Sequence, residues 1–248
     1  HGDADFVLRK GEFMTQEIQK IKTSGGEFYL RPLKKEDIEE TLQLMDQCVG
    51  ENLYQKTELE QTIGRQDRAF LLLKTAEEEL AGYIYYYLTS ADQIAEDARL
   101  AVQKIRQVCG LGAPVRESRS ARESRSARES RSARESRSVR KPQLVGKLQS
   151  VGLKEEFRRQ GLAVLMMEHA LAQFAGKGVE NVFIICWNAG GKVPLEKALQ
   201  KCQFAHLSSA KQIWYDKKDL FCPYCKGRCK CDAEVYFKRI RTGNPTET

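Results

Sequence analysis

The stretch from Leu144 to Trp187 constrains the fold more than any other part of the chain. Leu144–Leu153 has the composition of a strand, and a tight polar loop, EEFRRQG, follows it. Gly161–Ala175 reads as a helix with apolar residues on most of its circumference, which indicates that the helix is well buried. Asn181–Trp187 (NVFIICW) is a near-continuous apolar run, typical of a strand covered on both faces. This strand–helix–strand unit predicts a sheet with helices packed against it.

The remaining pattern adds strands and helices on either side of this unit. Apolar spacings of 4, 3 and 4 predict a helix from Ile38 to Val49, and the runs Arg68–Lys74 and Leu80–Leu88 predict an antiparallel hairpin. The other predicted elements are strands at Glu27–Arg31, Phe204–Tyr215 and Ala233–Ile240 and helices at 92–109 and Pro194–Lys201. The order β-α-ββ-(insert)-β-α-β-α-β-β predicts the α/β (α+β) class with a mixed sheet.

Composition and charge exclude several classes of protein. Of the 248 residues, 41% are hydrophobic and 30% are charged, and no apolar run approaches the roughly 20 residues that a membrane span needs. We find no secretory signal, so we expect a cytoplasmic protein without membrane contact. Residues 115–138 repeat an ARESRS-type unit four times, with eight arginines and four glutamates, and so supply +4 of the net charge of +7. The rest of the charge is ordinary and does not indicate a nucleic-acid partner.

The repeat lies in an insert, residues 92–142, which separates two halves of the chain. After its opening Val115 the repeat contains no large apolar residue, so it cannot build a core and we interpret it as a flexible spacer. Contact with RNA or an acidic partner, and phosphorylation of its serines, are the alternatives. Residues 1–13 read as an expression-vector remnant before Met14, residues 14–26 as an N-terminal extension, and residues 242–248 as a tail.

A phosphate-binding geometry is predicted where the polar loop meets the buried helix. The strand ends near Lys154, and the helix begins near Gly161. Helix N-termini expose unpaired backbone N–H groups and carry a partial positive charge, so they bind phosphates. Arg158 and Arg159 add two permanent cations, and Gly161 has no Cβ that would keep a ligand away from the backbone. The loop therefore predicts a diphosphate site, although it contains neither GxGxxG nor GK[ST].

The residues Arg158-Arg159-Gln160-Gly161-Leu162-Ala163 match the R/Q-x-x-G-x-G/A motif of the GNAT superfamily of N-acetyltransferases. The element order also resembles that fold, with residues 27–91 as the N-terminal half and 143–241 as the acetyl-CoA-binding half. The resemblance implies a mixed, mostly antiparallel sheet flanked by helices, with the insert between its third and fourth strands. It further implies direct attack of a primary amine on acetyl-CoA in a ternary complex.

The acceptor implied is a small-molecule amine or a protein lysine, and oligomers are compatible with the resemblance. A non-catalytic module that binds acyl-CoA, or that contains zinc and binds a partner, is the alternative.

On the matching positions, the resemblance implies a coenzyme site made mainly by backbone atoms. The diphosphate would lie on the N–H groups of Arg159 through Ala163, and the pantetheine arm along Val151–Leu153. A bulge that splays this strand from its neighbour is expected at Gly152, and a backbone N–H near Val151 would polarise the thioester carbonyl. The implied coenzyme-binding residues are Val151, Gly152, Leu153, Arg158, Arg159, Gln160, Gly161, Leu162, Ala163 and Asn188.

The catalytic acid and base differ from the family pattern. Many family members carry a tyrosine in a YxxxGF stretch, but here Leu199 stands at that position, so Cys202, another tyrosine or water would protonate the leaving thiolate. A strand glutamate often serves as the base, and the comparable residue here is Gln149. The remaining catalytic candidates are the loop carboxylates of Glu155 and Glu156, which otherwise read as solvated, and Asn188, which otherwise caps its strand.

Four of the eight cysteines lie within ten residues, as C-x2-C-x3-C-x-C. Cys222, Cys225, Cys229 and Cys231 could close a tetrahedral thiolate site, and Zn²⁺ is its usual occupant. The CPYC tetrapeptide also resembles the glutaredoxin active site, which requires a helix that starts at the motif. A structural zinc site is therefore the prediction, with redox chemistry and free thiols as the alternatives.

Overall fold

The computed structural model describes residues 19–23, 26–111 and 144–241. Ten strands lie within these residues: β1 (Gln19–Thr23), β2 (Gly26–Pro32), β3 (Arg68–Thr75), β4 (Leu80–Ser90), β5 (Leu144–Leu153), β6 (Asn181–Asn188), β7 (Ala205–Ala210), β8 (Phe221–Cys222), β9 (Gly227–Arg228) and β10 (Asp232–Arg239). Eight of them form one sheet in the order β1-β2-β3-β4-β5-β6-β10-β7, and β8 pairs with β9 in a separate hairpin.

Six α-helices accompany the strands: α1 (Ile38–Val49), α2 (Lys56–Glu60), α3 (Ala91–Asp97), α4 (Val102–Val108), α5 (Leu162–Gly176) and α6 (Glu196–Lys201). Single 3-10 turns at Lys35–Asp37 and Glu155–Phe157 precede α1 and α5. No helix within the described ranges is long and apolar enough to cross a membrane.

The sheet is antiparallel except between β5 and β6, which α5 connects. Helix α5 covers one face, where Met166 and Phe174 pack with Tyr86 and Leu148. The other face is covered near β3 and β4 by α1 and α2, and near β5, β6 and β10 by α3 and α4. A strand between two helical layers has no face left for polar side chains, which explains the continuous apolar run of β6. This arrangement confirms the predicted α/β class and its mostly antiparallel sheet flanked by helices.

The helix predicted over 92–109 is two helices instead of one. Arg99 lies in the left-handed region at φ +52°, and the N–H groups of Arg99 and Leu100 bond back to Glu96 and Ala95. This Schellman arrangement ends α3 before α4 begins at Val102. The apolar spacing continues across the break because both helices pack on the same cluster, so periodicity alone did not separate them.

Three further differences concern short or polar segments. The strand predicted to reach Tyr215 ends at Ala210. Strand β1, whose QKIKT sequence has few apolar residues, and the short helix α2 were not predicted from the sequence. The ARESRS tract at 115–138, the expected vector remnant, most of the N-terminal extension and the tail lie outside the described residues, so their interpretation stays a prediction.

Candidate functional site

The sheet splits open between β5 and β6. The two strands pair in parallel only from Gly146–Val182 to Leu148–Ile184, whereas β5 continues to Leu153 and β6 to Asn188. Strand β5 follows β4 throughout, but Tyr85 pairs with Ser150 and Tyr86 with Leu148. Gln149 is therefore an extra residue, a β-bulge that turns β5 away from β6. The bulge expected at Gly152 lies three residues earlier.

Gly152 has a different structural reason to be glycine. A Cβ at this position would come within 2.4 Å of the Tyr83 ring, which lies fully buried across the strand pair. The hydroxyl of Tyr83 is also 3.0 Å from Ser150 Oγ, so the ring is held tightly in place. Gly152 thus leaves room for the Tyr83 ring to pack against β5. It does not itself separate β5 from β6.

Beside the split, the loop before α5 presents free backbone amides. Within the described ranges, none of the N–H groups from Arg159 to Ala163 donates a hydrogen bond to a protein acceptor. Arg159 and Gly161 adopt left-handed conformations at φ +63° and +82°, which turn the chain tightly into the helix. A Cβ at Gly161 would meet no heavy atom within 4 Å, so the space beside this residue is open. Unbonded N–H groups at a helix N-terminus are the kind of group that can bind an anion, so the diphosphate site stays a prediction at this loop.

The two arginines of this loop differ in their surroundings. Arg158 Nε donates to the carbonyl oxygen of Leu153 at 3.0 Å, which ties the loop to the end of β5. Both Arg158 and Arg159 are exposed, so the charge of either guanidinium can act on a ligand at the amides. Gln160 instead bonds through its side chain to the carbonyl oxygen of Glu156 at 3.1 Å.

On the face opposite α5, the split widens into a cleft of about 600 Å³. Several parts of the chain line it: the end of α1 with α2 and the loop between them, Tyr87 of β4, the end of α3, the strands β5 and β6, the segment before α6, and the segment between β7 and β10. The lining includes Cys48, Leu53, Tyr54, Tyr87, Lys147, Gln149, Val151, Trp187, Trp214, Lys217 and Tyr224. Its volume is in the range of ordinary small-molecule sites.

A hydrogen-bond network surrounds the bulge in this cleft. Gln149 Nε2 donates to the Tyr54 hydroxyl at 2.9 Å, and the Tyr87 hydroxyl donates to Gln149 Oε1 at 3.2 Å. Burial raises the pKa of Tyr54 well above its ordinary value, and the hydrogen bonds with Gln149 and Ser150 only partly oppose this. Tyr54 therefore stays protonated at neutral pH and can act as a proton donor.

A buried ion pair lies at the floor of the cleft. Lys147 Nζ contacts the carboxylate of Asp97, and their side chains are 7% and 25% exposed. Burial lowers the pKa of Lys147, whereas the neighbouring Asp97 acts in the opposite direction. Asp97 belongs to α3, so the segment between β4 and β5 contributes directly to this site.

The predicted catalytic residues lie outside the cleft. Glu155 and Glu156 are exposed in the 3-10 turn. Asn188 has both polar side-chain atoms engaged, because Nδ2 donates to Glu234 at 2.7 Å and Oδ1 accepts from the Gly191 N–H at 2.7 Å. Cys202 is packed against α5, 3.9 Å from the carbonyl oxygen of Val164, and burial raises the pKa of its thiol to about 11.

The four clustered cysteines form a compact knuckle on the β8–β9 hairpin. All four sulfur atoms lie within 4.8 Å of one another. Cys231 Sγ is 3.8 Å from that of Cys222 and 3.6 Å from that of Cys225. Zinc–sulfur bonds of about 2.3 Å in a tetrahedron require sulfur separations of about 3.8 Å, so the four thiols fit a zinc ion. No helix starts at the CPYC motif, and this absence in the described structure removes the context that a glutaredoxin site needs.

Comparison with known proteins identifies the fold. No protein-family model and no curated protein sequence matched the chain. Among solved structures, NAA60 of Arabidopsis thaliana in complex with acetyl-CoA superposes with a TM-score of 0.57 at 12% identity, over 86% of this chain and 98% of that one.

Naa20 of Chaetomium thermophilum, in complex with a bisubstrate analogue, gives a TM-score of 0.53 at 14% identity, over 85% of this chain and 86% of that one. The ribosomal-protein-S18-alanine N-acetyltransferase of Escherichia coli gives 0.50 at 8% identity, over 89% and 99%. Together with the split sheet and the free amides before α5, these likenesses show that the chain has the fold of the GNAT superfamily of N-acetyltransferases.

Proposed function

We propose that this protein transfers an acetyl group from acetyl-CoA to a primary amine. One observation carries the proposal: the pairing of β5 with β6 stops at Leu148–Ile184, next to the free amides of Arg159–Ala163. A split strand pair beside an anion-binding helix N-terminus can hold a long ligand that has a diphosphate near one end. The similarity to NAA60, crystallised with acetyl-CoA, supports the choice of that ligand.

The residues present can bind the coenzyme in the orientation that the resemblance implies. The amides of Arg159–Ala163 would receive the diphosphate, with the exposed Arg159 guanidinium beside it. Strand β5 does not pair with β6 beyond Leu148, so its backbone at Val151–Leu153 is available to the pantetheine arm, apart from the Leu153 carbonyl oxygen, which accepts from Arg158 Nε. The thioester would then lie near the bulge at Gln149.

The reaction needs little more than a correctly placed amine and a proton donor. The amine nitrogen bonds to the thioester carbon, and the carbon–sulfur bond breaks. A proton donor of the protein protonates the leaving thiolate, and the proton that the nitrogen loses restores this donor. We assign the donor role to Tyr54, because its phenol lies in the cleft at the bulge, hydrogen-bonded to Gln149. Holding both reactants in the cleft contributes a large part of the rate.

Release of free thiol tests this function directly. Acetyl-CoA is offered with a panel of amino acids, polyamines, small amines and lysine-containing peptides, and thiol formation is followed. We expect turnover with at least one amine and none without an acceptor. Calorimetry that detects no binding of acetyl-CoA to the folded protein would contradict the proposal.

A structural zinc ion belongs to the proposal as well. The sulfur separations fit a tetrahedral site, and Cys222, Cys229 and Cys231 are buried in the knuckle. Elemental analysis of the purified protein should give about one zinc per chain. A Cys225→Ser variant should lose most of the metal, whereas Cys109→Ser, which removes a buried thiol elsewhere, should retain it.

The second candidate is a non-catalytic acyl-CoA-binding module. It is favoured by Leu199, which is fully buried at the position where the family tyrosine stands, and by the inaccessible thiol of Cys202. Such a module would bind acetyl-CoA in calorimetry and release no thiol with any amine of the panel.

A further inference from the structure

Building on the proposed transferase function, we infer that Trp214 selects the acceptor amine and that the metal knuckle holds this residue in place. Trp214 lies in the loop between β7 and β8, before the first cysteine of the knuckle, and lines the cleft. It favours acceptors that carry a flat apolar group close to the amine.

One end of the loop is joined to the segment after α1. The N–H and carbonyl groups of Glu51 and Phe221 exchange two backbone hydrogen bonds, both of 3.1 Å. Gly50 allows this approach, because a Cβ there would lie 2.7 Å from the carbonyl oxygen of Phe221. Phe221 directly precedes Cys222, so a metal ligand adjoins the bridge that closes one side of the cleft.

Near its other end, the loop is joined to the segment between α3 and α4. Arg99 forms an ion pair with Asp216 at 2.7 Å, two residues after Trp214. The side chain of Trp214 also packs against the small cluster of Ala210, Ile213 and Ala233. Trp214 is therefore held between two attachments, one at the knuckle and one at the insert.

Trp187 connects the metal site to the cleft through side-chain packing. Its ring belongs to the same buried cluster as Leu220 and the knuckle cysteines, and it is 8% exposed. The rings of Trp214 and Tyr224 meet it edge to face, with centroid distances of 5.4 and 6.0 Å. Loss of the metal would loosen the thiols on which Trp187 packs, and Trp214 would lose the surface that orients it.

The aromatic residues that line the cleft determine which class of acceptor fits. Trp214 and Trp187 present aromatic surface on one side of the cleft, and Tyr54 with Leu53 lies on the side of the α1–α2 loop. Aromatic rings gain most from contact with flat or apolar groups. Phenethylamine should therefore be acetylated with a lower KM than ethanolamine. Both amines have the same two-carbon chain, which ends in a phenyl ring in the first and in a hydroxyl group in the second.

A pair of neighbouring variants tests the inference. Trp214→Ala should raise the KM for phenethylamine about tenfold while changing the KM for ethanolamine, kcat and the Kd of acetyl-CoA by less than about threefold. Tyr215→Ala is the matched control, because this ring is covered by the Arg228 guanidinium at 3.8 Å and does not line the cleft. An unchanged ratio of the two KM values in Trp214→Ala would overturn the inference.

Metal removal provides the second arm of the test. Chelation of the zinc-loaded protein should raise the KM for phenethylamine by a similar factor, leave acetyl-CoA binding unchanged, and be reversed by added Zn²⁺. Equal KM values with and without metal would contradict the role of the knuckle. If chelation unfolds the protein, Trp214→Ala still tests the role of Trp214, and Cys225→Ser, assayed below its unfolding midpoint, tests the role of the knuckle and should show the same rise in KM. Absence of thiol release with any amine would instead contradict the proposed function, which separates the two failures.

Discussion

Gln149 shows how one residue can shape the candidate site. As the extra residue of the bulge, it directs β5 away from β6, and its amide positions Tyr54 and Tyr87 at the opening. The family pattern would place a carboxylate here, but an amide can accept from one phenol and donate to another at the same time. We therefore propose Gln149 as a positioning residue and Tyr54 as the proton donor.

Tyr54→Phe removes the hydroxyl assigned to protonate the leaving thiolate. General-acid groups contribute roughly 100-fold or more to a rate, so we expect kcat to fall about 100-fold, while calorimetry gives an unchanged Kd for acetyl-CoA. Tyr85→Phe is the control, because Tyr85 is a partly buried tyrosine of β4 whose hydroxyl accepts a hydrogen bond from Arg68 and which does not line the cleft. Equal kcat values for both variants would remove Tyr54 from the mechanism.

The predicted catalytic residues Asn188 and Cys202 lie outside the cleft for a reason that also belongs to single side chains. Asn188 bonds to Glu234 and Cys202 to Val164, which lie 46 and 38 residues away in the sequence. Such contacts depend on how β10 and α5 pack, and no local pattern around Asn188 or Cys202 encodes them. The backbone motif at Arg158–Ala163 was predictable because it needs only a loop, a glycine and a helix that follow one another.

At the scale of elements, strands and helices with a continuous apolar pattern were predicted to within a few residues. Strand β5 spans Leu144–Leu153 as predicted, and β6 and α5 extend one residue beyond their predicted C-terminal ends. The bulge was misplaced because it arises from the register between β5 and β4, which involves a partner strand about 60 residues earlier. Tyr54 and Trp214 were missed as site residues, since a single aromatic residue in a loop carries no periodic signal.

The role of the α5 N-terminus in coenzyme binding can be tested by comparing matched glycine variants at the two ends of the helix. Gly161 and Gly178 both have positive φ, +82° and +72°, and neither would place a Cβ within 4 Å of another atom. Alanine at either position should cost about 1 kcal/mol in the free energy of unfolding, because both residues are left-handed.

The two variants should differ in acetyl-CoA affinity. Gly161→Ala places a methyl group above the free amides and should raise the Kd about tenfold, a loss of about 1.4 kcal/mol. Gly178→Ala should leave the Kd unchanged in the same calorimetric titration. A tenfold loss in both variants would point to general destabilisation and would count against the diphosphate site.

For the whole molecule, the knuckle joins parts of the chain that are distant in sequence. Its buried cysteines share a cluster with Trp187 of β6, and Val49 and Leu53 pack against that cluster from the end of α1 and the loop after it. A metal ion there would bind the folded chain far better than the unfolded chain, so its binding energy adds to the stability of the fold. With zinc bound as proposed, the knuckle would act as a crosslink in a chain whose eight cysteines are all free.

Metal removal should therefore lower the midpoint of thermal unfolding. For a chain of this length, each kcal/mol corresponds to roughly 2–4 °C, so a zinc contribution of several kcal/mol predicts a decrease of about 10 °C on chelation. The Cys225→Ser protein should begin near the lower midpoint and hardly respond to the chelator, which separates metal loss from other effects of the reagent. Calorimetric scans at fixed protein concentration provide the measurement. An identical shift in Cys225→Ser would mean that the chelator acts elsewhere, and no shift in the natural sequence would mean that the thiols stabilise the fold without a metal.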